Sequence, residues 1–152
     1  AAQALRTFAA CFCLPNSFHA NGDQTKSGKS KMTYRPFTLE GNFAFAAGIQ
    51  EMLLQSHTGV IRVFPAVPTS WRDVSFDFLR AEGAFLISAT KRAGRIVEVR
   101  IRSENGGKLR LEDPFTEGGY GISGAAAGSV RSAGSIIEGD LRPGDEIKLK
   151  GR

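Results

Sequence analysis

Side chains able to do acid–base, metal or nucleophilic chemistry are unevenly spread along this chain, and one of them stands in an unusual place. The stretch RPFTLEGNFAFAAGIQEMLLQSHTG, residues 35–59, sets Glu40 two positions before Asn42, a good N-cap for an apolar helix. An acid there gains a few tenths of a kcal/mol from the helix dipole, which is a purely structural role. The same position would hold a general base rigidly aimed. The residues alone leave both readings open. His19, with Asn21 two residues on in a polar loop, could hydrogen-bond a polar ligand or be an ordinary loop histidine. His57, just ahead of Gly59, reads as a helix C-terminal residue that suits the dipole.

Other candidates are weaker. Two histidines without acids at ligand spacing do not make a metal site, and Cys11 and Cys13 form a C-x-C that is half of one at best, so buried thiols are expected. GDQTKSGKS, residues 22–30, resembles a phosphate-binding loop, but Gly22 and Gly28 enclose five residues instead of four and no strand precedes them. What remains is flexible, basic loop composition. Trp71, Tyr34 and Tyr120 could stack on a sugar ring, although Trp71 in PTSW is placed to seal a seam between packed parts.

The elements that must carry these residues change character along the chain. Leu5, Phe8, Ala9 and Phe12 recur at helical spacing over residues 1–13, and Pro15 ends that helix. Residues 16–36 are polar and rich in Gly, Ser and Lys, a long loop of the kind that is functional or mobile. A second helix is expected over 42–56, stopped by Gly59, with Phe45, Ile49, Met52 and Leu53 at helical spacing. It is apolar nearly all round and so belongs buried among other helices. One short upstream helix cannot bury it.

Beyond Gly59 the period falls to two. Val97, Val99 and Ile101 alternate with Glu98, Arg100 and Arg102, while RAGR (92–95) and ENGG (104–107) read as hairpin connections and RPGDEIKLK (142–150) as a Pro-Gly turn into a last strand. Regularly spaced short strands indicate an antiparallel sandwich. The Gly, Ala and Ser-rich residues 118–135 give no strand signal. Helices first and strands second make the fold class α+β.

With 152 residues, 41% hydrophobic and 23% charged, the chain is large enough for a sizeable core. Its formal charge of +5 comes from bases interspersed with acids, with no basic run carrying interleaved aromatics, so a nucleic-acid partner is not expected. No apolar run approaches the roughly 18 residues of a membrane span, so none is expected to cross one. Ala1 opens without an initiator Met or a signal-peptide pattern, and the chain reads as a piece of something longer.

The runs FCLPNSFHANGDQ, EGNF, EMLLQSHTG and LRAEGAF resemble the C-terminal part of glycoside hydrolase family 95, over most of residues 14–115 and fading in the Gly-rich tail. The family comprises alpha-L-fucosidases and alpha-L-galactosidases, in which an (α/α)6 helical barrel precedes a C-terminal β-domain. The resemblance implies that residues 1–59 are the end of the barrel and residues 60–152 the β-sandwich. It implies hydrolysis with inversion of an oligosaccharide or glycan substrate, without cofactor or metal. Glu40 then stands in the segment that activates water, and His19, Asn21 and Arg35 in the substrate-binding part. The general acid lies in the missing N-terminal part of the same polypeptide, so the isolated chain is expected to be inactive. The parent is expected to be bacterial, secreted or periplasmic. One departure is plain: fucosidases with this motif usually carry Asp where this chain has Glu40. The competing expectation, from a different class, is a stand-alone carbohydrate-binding or interaction module built on the sandwich.

Overall fold

Alternation is most regular over residues 95–103, and that stretch forms the middle of the larger sheet. The computed structural model describes residues 1–115 and 118–152. Its strands are β1 (Leu54–Gln55), β2 (Arg62–Val63), β3 (Val74–Ala81), β4 (Phe85–Arg92), β5 (Arg95–Ser103), β6 (Gly107–Glu112), β7 (Tyr120–Ser123), β8 (Val130–Ala133), β9 (Ile136–Leu141) and β10 (Glu146–Gly151). They pair as a five-stranded sheet in the order β3-β4-β5-β10-β7, a three-stranded sheet β6-β9-β8 and the small pair β1-β2. Every pairing between these strands is antiparallel.

Register turns alternation into a core. Ile101 lies opposite Ile87 on one side and Ile147 on the other, and Val99 lies between Ala89 and Leu149. All six are 2% exposed or less. The smaller sheet supplies Leu109, Leu111, Ile137, Leu141 and Val130 to the same cluster. The alternate residues face outward and are charged: Glu98 pairs with Lys148 at 2.7 Å and with Arg100 at 3.3 Å. A sandwich of antiparallel sheets is therefore what the strand half forms.

Two turns have the expected form and one does not. Ala93 and Gly94, both left-handed (φ +49° and +87°), close the β4-β5 hairpin at RAGR, and Pro143-Gly144 leads into β10. ENGG is not a hairpin connection. It carries the chain from β5 in one sheet to β6 in the other, and Gly106 sits against Pro143, where a side chain would collide. The stretch without strand signal contains β7 and β8, separated by a 3-10 turn at Ala127–Ser129. Both are edge strands whose backbones pair with β10 and β9, and such a ladder needs little from the side chains.

The chain divides into compact units Ala1–Met52 and Leu53–Arg152. In the first, helix α1 (Ala2–Phe12) matches the expected span, and α2 (Leu39–Leu53) differs at both ends. It begins three residues ahead of Asn42, so Asn42 is inside the helix and not its cap. It stops at Leu53 because Leu54 and Gln55 pair with Val63 and Arg62, and the Leu53 carbonyl accepts the Phe64 N–H at 2.7 Å. His57 and Gly59 consequently belong to the β1-β2 turn, not to a helix terminus. Of α2, Met52 is fully buried, whereas Leu39 is 44% and Phe43 64% exposed, so the burial among helices expected for this segment is not found within the first unit.

Pleat parity has a measurable consequence. Ile101→Ala should cost roughly 2–5 kcal/mol, while Arg102→Ala one residue on should stay within about 0.5 kcal/mol. Denaturant unfolding followed through Trp71 fluorescence distinguishes the two, and equal losses would contradict the register.

Candidate functional site

The four residues singled out for chemistry all lie in the first unit, along or next to a short backbone ladder. Ala20 and Phe37 form an antiparallel bridge, the His19 carbonyl accepts the Thr38 N–H at 3.2 Å and the Pro36 carbonyl accepts the Asn21 N–H at 3.2 Å. His19 and Asn21 therefore share one face, with Ala20, wholly buried, on the other. Arg35 precedes this ladder and is exposed, and the partner strand runs straight into α2, where Glu40 is the second residue. The ladder is tied back to the end of α1 by N–H groups of Ala20 and Gln24, which reach the carbonyls of Phe12 (2.9 Å) and Cys11 (2.7 Å). Those carbonyls would otherwise be orphaned at a helix C-terminus.

His19 is held on several sides. Its ring stacks on Phe8 with centroids 5.0 Å apart, and Phe8 in turn stacks on Phe45 of α2. A Cβ on Gly41 would overlap the imidazole, so only glycine at that position lets the ring lie on the first turn of α2. Asn42 accepts the His19 N–H at 2.8 Å and donates to the Ser17 carbonyl at 2.8 Å, which ties the loop to the helix. Nδ1 meets both the Thr38 carbonyl, at 3.1 Å, and the Thr38 hydroxyl. A carbonyl can only accept, so in the tautomer that serves it Nδ1 carries the proton and Nε2 is left as an acceptor.

Glu40 is exposed and lies inside the first turn of α2, not ahead of it. Among the described residues it makes no hydrogen bond or ion pair. Its carboxylate is open to a ligand. Arg35 and Tyr34 are exposed close by in sequence, the latter at 62%. Among the described residues no second acid pairs with Glu40, and this unit offers an exposed carboxylate, an imidazole and amide groups. In the second unit, Trp71 is half-buried and Tyr120 packs on Phe115.

Residues 22–30 are not a floppy basic loop. Asp23 is fully buried and accepts four bonds, from the Thr25 hydroxyl (2.7 Å), the Ser27 hydroxyl (2.9 Å) and the N–H groups of Thr25 and Lys29 (3.0 Å each). The Thr25 hydroxyl, helped by Ser27 and by those two N–H groups, holds the Asp23 carboxyl well below the usual carboxylate range against the opposing effect of burial. Lys26, Lys29 and Lys31 are left exposed around this hub. Asp23, Thr38 and Gly41 were not singled out by sequence reasoning. The Asp-x-Thr-x-Ser spacing was the available signal for the first, because short polar side chains at those offsets fold back on an Asp. Cys11, buried, has its Sγ 3.5 Å from the Ser27 hydroxyl, and both cysteines are free thiols.

The second unit has a groove of about 300 Å³ beside Phe64, Lys91, Ile96, Phe115 and Arg152, with no carboxylate side chain among its described lining residues. It contains none of the expected site residues. No described helix is long and apolar enough to cross a membrane.

Residues 55–133, just over half of the chain, match the family model described as glycoside hydrolase family 95, C-terminal domain. A 70-residue stretch is 39% identical to a protein named alpha-L-fucosidase 2 from Arabidopsis thaliana. That stretch is 45% of this chain and 8% of the relative, so the chain spans a small part of the relative's length.

Two outcomes test the geometry without any substrate. Gly41→Ala should expel the imidazole and abolish the Nδ1–H tautomer, read from the His19 ring nitrogens by NMR. For Asp23 the folded pKa is depressed, so its stabilisation is present above the unfolded value of about 3.9 and is lost as pH falls from there toward the folded value. Protection of the Thr25 and Lys29 amides, relative to their intrinsic exchange rates at each pH, should be constant down to about pH 4 and fall below it. In Asp23→Asn it should be weak throughout.

Proposed function

This chain belongs to glycoside hydrolase family 95, and from that premise we propose that it is the C-terminal end of a longer inverting glycosidase. Residues 1–59 are the last part of a helical-barrel catalytic domain and residues 60–152 its β-sandwich. Supporting this, six of the exposed large apolar side chains, Phe18, Met32, Tyr34, Phe37, Leu39 and Phe43, fall within 26 residues of the first unit. An apolar surface so concentrated is what upstream barrel helices would cover.

The observation that carries the catalytic reading is Glu40, exposed in the first turn of a helix and next to a glycine that seats the clamped His19. In the proposed reaction Glu40 takes a proton from water, and the resulting hydroxide attacks the anomeric carbon from the face opposite the leaving group. An acid upstream of this chain protonates the departing oxygen, with the two carboxyl groups about 6.5–9.5 Å apart to admit the water. His19 Nε2 accepts from a sugar hydroxyl, while Asn21 and Arg35 supply further hydrogen bonds to the ring. The substrate class is an alpha-L-fucoside or alpha-L-galactoside of a glycan, in keeping with the name of the matched plant relative. The base alone is insufficient, and the isolated chain does not turn over.

Assays of kcat on matched aryl fucosides and galactosides test this. The 152-residue chain should show no turnover. In the full-length parent Glu40→Gln should lower kcat on the order of 100-fold or more while leaving stability within about 0.5 kcal/mol. Glu40→Asp asks whether the site is shaped around the longer acid: positioning errors near 1 Å can cost about 100-fold, so kcat should fall again. Equal rates in all three forms would remove Glu40 from the mechanism.

A further inference from the structure

The edge strand β3 contains an irregularity that the sandwich does not need. Its pairing with β4 shifts between Phe76 and Leu79, so that Asp77 and Phe78 both stand where one residue is required. Phe78 adopts a left-handed conformation (φ +56°), disfavoured for any residue with a Cβ and rare for a bulky one. Its N–H, released from the ladder, donates to the Ser88 hydroxyl at 3.1 Å. The ring is 61% exposed and is the one large hydrophobic side chain of the second unit, among the described residues, that stands so far out. Ser88 is the register partner of Arg100, and Arg100 Nη2 lies 3.2 Å from Asp77 Oδ1. Ring, carboxylate and guanidinium thus share one level across three adjacent strands.

We propose that Phe78, Asp77 and Arg100 form a binding platform for a neutral pyranose on the β-sandwich. A bulge alone would already blunt the strand edge, and Gly or Asn would adopt this backbone without strain, so edge protection does not account for an exposed phenyl ring. Strain of this kind persists where it serves a function. A single ring rimmed by charged groups is far too small an apolar area for a stable protein interface, which buries about 800 Å² per partner. It does match the C–H face of one sugar ring. Asp77 accepts from hydroxyl hydrogens and Arg100 donates to hydroxyl oxygens, the pairing that adjacent sugar hydroxyls present. Because Arg100 is also paired with Glu98, at 3.3 Å, no positive charge is left in excess and the platform has no preference for an anionic sugar. This inference goes beyond the catalytic reading and stands or falls apart from Glu40.

The experiment is a two-dimensional amide NMR titration of the 152-residue chain with methyl alpha-L-fucopyranoside, methyl alpha-L-galactopyranoside and methyl beta-D-glucopyranoside. Saturable shifts centred on residues 76–79, 88 and 100, from at least one of the three, are the expected result. Phe78→Gly should weaken that binding at least tenfold and raise the melting temperature, because glycine relieves the strained φ. Asp77→Asn together with Arg100→Gln should weaken it as well, with the bulge intact. Absence of saturable shifts with all three sugars, or shifts that survive in Phe78→Gly, would overturn the proposal. So would concentration-dependent self-association abolished by Phe78→Gly, which would make the occupant a protein.

Discussion

Every backbone N–H and C=O removed from water needs a partner, and the two parts of this chain meet that requirement by opposite means. From Leu54 onward the ladders of three sheets do it, with β5 paired along both edges. Over residues 13–38 a short backbone ladder meets part of the need and side chains supply the rest. Asp23 gathers the 25–29 turn, Asn42 spans Ser17 and His19, and Gln24 donates to the Asn21 and Gly22 carbonyls. The candidate site lies in the part held this way. Its precision depends on a handful of polar groups more than on a packed core.

That difference bears on how the proposed chemistry would be supported. A base must be aimed, and Glu40 is carried by a helix whose first turn is fixed through Gly41 and Asn42 to the His19 loop. The imidazole is in turn fixed by Phe8 and Thr38. Positioning passes from helix to glycine to ring without any charged intermediary. Membership in glycoside hydrolase family 95 gives this arrangement its chemical context.

Legibility followed the physics of each segment. Alternation at 95–103 was plain in the sequence because one strand face must be apolar, and the left-handed Ala93-Gly94 turn because RAGR between strands leaves few alternatives. The helix end at Leu53 was not legible, since nothing local in LLQSHTG forbids another helical turn; pairing with Arg62 and Val63, distant in sequence, decides it. Edge strands β7 and β8 were hidden by Gly-rich composition because their partners' backbones specify them. Glu40, His19, Asn21 and Arg35 were singled out as candidates by type and by family likeness, whereas Asp23, Thr38 and Gly41 act through contacts that only the fold creates.

The outward face of the five-stranded sheet also governs how this molecule meets its own copies. Outward positions on β5 and β10 carry Arg100, Arg102, Lys148 and Lys150 against Glu98 and Glu146, so even with the Glu98–Lys148 and Glu98–Arg100 pairs the face keeps an excess of bases. Two such faces repel one another. Salt that screens the excess bases would leave the sheet faces free to approach. High ionic strength, harmless to a core built of isoleucine rows, is thus the condition under which crowding of these molecules would turn to precipitation.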